Sequence, residues 1–106
     1  MCRRQKKYAT EGHSVTLECQ AVLDDSINWR YTPPHDNNDV RIMYWQNRIY
    51  NADRQRVKFS RPEGGVFHLV INPVNASDAG IYRCIENNGR YPGETCTELI
   101  VMGKAA

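Results

Sequence analysis

A chain of 106 residues is one domain of ordinary size. With 41% hydrophobic and 25% charged residues it is neither disordered nor, lacking an apolar run near the ~18 residues of a membrane helix, a spanning segment. A formal charge of +2 falls short of the strongly basic face of a nucleic-acid binder.

Residues 1–7 read as a basic N-terminal arm leading into the first strand, or as the start of that strand. Beyond them come short alternating runs, the mark of half-buried strands. Ser14–Ala21 sets Val15, Leu17 and Cys19 on one face, and Ser26–Thr32 sets Ile27, Trp29 and Tyr31 together. Val40–Trp45 is apolar on both faces and leads into Arg48–Asn51. Arg56–Ser60 pairs Val57 with Phe59, and Val66–Ile71 aligns Phe67, Leu69 and Ile71. Ile81–Glu86 carries Tyr82 and Cys84, and Thr95–Met102 carries Thr97, Leu99 and Val101. Turn formers separate these runs: Pro33-Pro34, Glu63-Gly64-Gly65, Asn87-Asn88-Gly89 and Pro92-Gly93. No stretch holds a long 3.6-residue period, so the prediction is an all-β sandwich with no helix beyond a single turn.

Cys2, Cys19, Cys84 and Cys96 contain no C-x-x-C pair, which argues against a zinc or redox site. Their even number in a small domain points to disulfides and an oxidising compartment. The sequon Asn75-Ala76-Ser77 points the same way and makes Asn75 a candidate glycosylation site. Cys19 and Cys84 lie on inward positions, with Trp29 ten residues after the first. A sandwich joined across its sheets by one disulfide, packed by a tryptophan, has this pattern. Tyr82 stands two residues before Cys84, where a tyrosine corner forms.

Asp78-Ala79-Gly80-Ile81-Tyr82-Arg83-Cys84 resembles the D-x-G-x-Y-x-C signature of the immunoglobulin superfamily, over residues 8–102, with 103–106 a tail. The room between Trp29 and Asp78 resembles the variable-type (V-set) arrangement. That resemblance implies two antiparallel sheets, A-B-E-D and G-F-C-C′-C″, and an Arg56–Asp78 pair across the bottom. Asn28-Trp29, Val40 to Tyr44, Arg48 to Tyr50 and Arg56 to Phe59 are similar to the first domain of coxsackievirus and adenovirus receptor-like adhesion proteins. Cys2 and Cys96 are similar to the second disulfide of the first domain in interleukin-1 receptor relatives, which ties the N-terminal strand to strand G and so implies a Cys2–Cys96 bridge with that strand beside strand G. A free Cys2, or one linking two chains, is the alternative. The Phe-Gly-x-Gly bulge of antigen-receptor variable domains is absent, with Gly93-Glu94-Thr95-Cys96 in its place.

Catalysis finds no support in the residues. His13, His35 and His68 lie on separate elements without ligand spacing, so neither a metal nor a cofactor is expected, nor an enzyme. Arg3, Arg4, Lys6 and Lys7 suit a glycosaminoglycan, although a solvated arm that blunts a sheet edge is the plainer reading. If alternation holds, Asn28, Arg30, Ile42, Tyr44, Tyr50, Arg83 and Ile85 point outward from the G-F-C-C′-C″ sheet. Such Tyr, Arg and apolar rows are typical of interface centres. The expectation is an extracellular recognition module of an adhesion or immune-type receptor, binding a protein partner, itself included, and not nucleic acid. A secreted factor binding a carbohydrate or small ligand through its loops is the alternative, and a spacer domain a weaker third reading.

Overall fold

The computed structural model describes residues 4–20, 27–36, 38–45, 48–60, 66–86 and 93–104. Among the described residues nine strands run in chain order: β1 (Arg4–Thr10), β2 (Val15–Gln20), β3 (Ile27–Thr32), β4 (Arg41–Trp45), β5 (Arg48–Ile49), β6 (Val57–Ser60), β7 (Val66–Ile71), β8 (Gly80–Glu86) and β9 (Gly93–Met102). Among the described residues the helical part is a single 3₁₀ turn, Ala76–Asp78. The strands form a six-stranded sheet, β1-β9-β8-β3-β4-β5, and a three-stranded sheet, β2-β7-β6.

Alternation explains the core. Val15, Leu17 and Cys19 of β2 turn inward, while Glu18 faces solvent. Trp29, Leu69, Ile71, Val74, Leu99 and the Cys19–Cys84 bridge meet them, all nearly inaccessible. The bridge joins β2 of one sheet to β8 of the other across a Cα separation of 5.8 Å, inside the usual range for a disulfide. The Trp29 indole N–H has no hydrogen-bond partner among the described residues, so this ring contributes through packing.

One expectation is corrected, while the placing of the N-terminal strand beside strand G agrees with the register. The N-terminal strand does not pair with β2 to form an A-B-E-D sheet. It lies beside β9, parallel to it, with Arg4 opposite Cys96 and Thr10 opposite Met102, so the larger sheet is mixed. The basic residues from Arg4 to Lys7 are the start of this strand, the second of the two readings of residues 1–7. Alternation along that strand puts Arg4 and Lys6 on one face and Lys7 on the other, which splits the basic run. Arg3 lies outside the described residues, as do the glycine turn at 63–65 and the turn at 87–92.

The lower end of the sandwich is held by polar contacts. The Tyr82 hydroxyl donates to the Asp78 carbonyl and the Tyr31 hydroxyl to the Ala79 carbonyl, both at 2.6 Å. The two rings lie 4.9 Å apart, tilted by 51°, a favourable aromatic geometry. Arg56 donates Nη1 to Asp78 Oδ2 at 2.8 Å and Nη2 to Asp78 Oδ1 at 3.1 Å. It also reaches the Pro73 carbonyl at 2.9 Å and Asp53 Oδ2 at 3.0 Å.

Candidate binding face

The outward face of the six-stranded sheet is shaped by one extra residue in β4. Trp29 pairs with Tyr44, and the next residue, Arg30, pairs with Ile42, which leaves Met43 unmatched. This β-bulge lets two residues of β4 oppose one of β3, and it reverses the side-chain parity of the residues beyond it. Tyr44 is consequently turned inward, its ring 5.1 Å from Phe59 of the other sheet. Trp45 takes the outward place beside Asn28. The expectation that Tyr44 belongs to the outer row is thus overturned.

Asn28 is corrected as well. It faces outward but is only 9% exposed, because its neighbours cover it. Its amide donates to the Ile85 carbonyl at 3.5 Å and its Oδ1 accepts from Arg30 Nε at 3.1 Å. Asn28 therefore positions Arg30 and does not offer a contact surface. Arg83 is tied by Nε to Glu94 Oε1 at 2.8 Å within the chain, and Ile85 is half-buried.

What remains exposed is an apolar cluster of which alternation found Ile42 and Tyr50 but not Val40 and Trp45. Val40 and Trp45 are 47% exposed, Ile42 38% and Tyr50 37%. With Asn51 they line an open groove of about 380 Å³. Its edges are fixed by hydrogen bonds to backbone carbonyls: Tyr50 N–H donates to the Met43 carbonyl at 2.7 Å, and the Asn51 side-chain Nδ2 to the Ile42 carbonyl at 2.9 Å. Asn51 adopts a left-handed φ of 47°, a conformation that asparagine tolerates better than most residues. The signal for Trp45 and Val40 was the two-faced apolar character of the run itself, which a strand with one buried face does not need.

Elsewhere the chemistry is sparse. Among the described residues no three His, Cys, Asp or Glu side chains gather as a metal site. His68 Nε2 lies 3.8 Å from Glu18 Oε1 on the outer side of the smaller sheet. Cys96 is buried and shares the outward face with its register mate Arg83. Among the described residues no cysteine is free, and Cys2 lies outside them. Asn75 is exposed at the start of the 3₁₀ turn.

Known proteins resemble this arrangement to different extents. Over 44 residues the chain is 46% identical to Palladin from Homo sapiens, a match covering 42% of the chain and 3% of that protein. It is 25% identical over 113 residues to "Putative butyrophilin subfamily 2 member A3" from Homo sapiens, covering 90% of the chain and 18% of that protein. The chain thus spans less than a fifth of either relative's length. Among solved structures, the second Ig domain from mouse Polymeric Immunoglobulin receptor shares the fold at a TM-score of 0.74 and 18% identity, covering 97% of this chain and all of that one. The model of the Immunoglobulin V-set domain family matches residues 6–102, nearly the whole sandwich described above, and the chain belongs to that family.

Proposed function

We propose that this V-set domain is an extracellular recognition module that binds a protein partner, a second copy of itself first among them. The outward face of the six-stranded sheet is the surface, and the work is binding and not catalysis. One observation carries the reading: four large apolar side chains, Val40, Ile42, Trp45 and Tyr50, stand exposed around one groove on a sheet. Clustered exposed apolar surface of this kind marks interaction sites more often than inert surface. Tryptophan and tyrosine bring large buried area with little rotamer entropy to lose.

The likeness to a butyrophilin and to a receptor Ig domain supports a receptor or adhesion setting, as does the inter-sheet disulfide. We read Asn75 as a glycan acceptor, exposed on the turn before β8 and outside the groove-lining set. A Cys2–Cys96 bridge belongs to the same reading, since Cys96 sits opposite Arg4, two residues from Cys2. A glycosaminoglycan contact is not part of it, because the strand splits Arg4 and Lys6 from Lys7.

Sedimentation equilibrium tests the proposal. The parent chain associates reversibly, and replacing Trp45 and Tyr50 by Asp removes association by burying unpaired charge at the contact centre. Both side chains are exposed, so the variant keeps its fold and its thermal unfolding. A folded variant that associates like the parent overturns the assignment of this face.

A further inference from the structure

The smaller sheet ends at β2. Among the described residues β2 pairs with β7 alone, and its other edge carries no strand. In a strand paired on one side, every second residue turns its N–H and C=O to the unpaired edge. The N-terminal strand does not fill that place, because β1 follows β9 along its whole length, from Arg4 to Thr10. β9 packs across the core from β2, so β1 stands one strand further out, over the space beside β2. The inner face of β1 is uncovered there. Gln5 Nε2 donates to Oγ1 of the buried Thr97 at 3.3 Å, which marks the inward side. Ala9 on that side is 7% exposed, yet Gln5 and Lys7, which share it by alternation, are open to solvent. Gln5, Lys6 and Lys7 of β1 line one hollow of about 350 Å³ with Thr16, Leu17 and Glu18 of β2. Lys7 forms no ion pair among the described residues.

We infer that this hollow takes an extended segment of a partner protein, laid along β2 as a fourth strand of the smaller sheet, with an acidic side chain turned in against Lys7. Strand addition of this kind draws affinity from main-chain hydrogen bonds and specificity from alternate side chains. A second copy of the chain is a poor occupant. It would bring its own β1 and β9 together with its β2, into the space where β1 already stands. A single extended segment brings no second layer. Lys7 gives the edge its selectivity: an inward charge turns away neutral and basic strands, as lysines do on guarded sheet edges. A carboxylate at the facing position is met by the ammonium group instead. The site is separate from the groove lined by Val40, Ile42, Trp45 and Tyr50 and does not depend on the reading of that groove.

The probe is an end-blocked hexapeptide of alternating Thr and Glu, matched to the six residues of β2. Nuclear magnetic resonance on the full chain should show saturable shifts and slowed amide exchange confined to Val15–Gln20 and the facing residues of β1. Lys7→Glu, at an exposed position that leaves the fold intact, should weaken this peptide roughly tenfold or more and rank a Thr–Lys hexapeptide above it. N-methylating the Glu amides in one peptide and the Thr amides in another separates strand pairing from charge attraction. One set of amides faces β2 and its methylation abolishes binding, whereas the other faces away and is tolerated. Methylated peptides that behave alike, or shifts absent from β2 at millimolar peptide, overturn the added strand. Equal affinity of the parent and Lys7→Glu overturns the acidic partner. β2 amides whose exchange slows with protein concentration, in the absence of peptide, assign the edge to a second copy and overturn the proposal as well.

Discussion

At Gly80 the backbone takes φ +147°, and a Cβ there would lie 2.6 Å from the Thr32 carbonyl oxygen and 2.7 Å from Tyr31 Cε1. The first of those atoms is backbone and cannot swing away. Gly80→Ala is therefore expected to destabilise the domain by several kcal/mol, about the cost of overpacking plus a strained φ, as read by urea unfolding. The neighbouring phenols give the domain an alkaline limit. Burial pushes the Tyr82 hydroxyl well above the usual tyrosine range, and burial raises Tyr31 in the same direction. A folded-state value above the unfolded ~10 means stability is complete below that pH and is lost as pH rises beyond it. Thermal melts from neutral pH to about pH 11 should fall steeply above pH ~10 in the parent and less steeply in Tyr82→Phe. At neutral pH that variant loses ~1–3 kcal/mol, since the Asp78 carbonyl forfeits its buried donor.

Between elements, Arg56 ties the start of β6 to the turn before β8 through a bidentate pair with Asp78. The side chains are 20% and 10% exposed, so the pair is shielded enough for its loss to matter. Arg56→Ala or Asp78→Ala alone should cost ~3 kcal/mol by stranding the other charge. The double variant should cost less than the sum, a coupling that chemical unfolding of all four proteins measures. This pair was legible in the sequence because it belongs to a recognisable signature, as were the strands, whose inward positions declare themselves every second residue. The outer surface was harder to read. A period-two rule counts residues, and within the apolar run Ile42-Met43-Tyr44-Trp45 nothing marks Met43 as the one that β3 leaves unmatched. The error passed to Tyr44 and Trp45, which exchanged faces. The A-B-E-D placing of β1 failed for a related reason: Arg4 to Lys7 are all polar, so no apolar face announces which sheet the strand joins, and only the Cys2–Cys96 resemblance pointed to strand G.

For the molecule as a whole, the Cys19–Cys84 bridge closes a loop of 65 residues, worth about 4 kcal/mol in the chain-entropy account. Replacing both cysteines by Ala should lower stability by at least that amount, and differential scanning calorimetry of the parent with and without reductant should show the same loss. The parallel seating of β1 against β9 has a consequence of another kind. Arg4 lies level with Cys96, and Thr10 with Met102, so the two ends of the described chain leave from opposite poles of the sandwich. Tension drawn through those ends would try to slide one strand lengthwise past its neighbour. The evenly spaced bonds of a parallel ladder would then carry the strain together and not open one by one. The seam between β1 and β9, at the edge of the larger sheet, is therefore the one that resists such a pull.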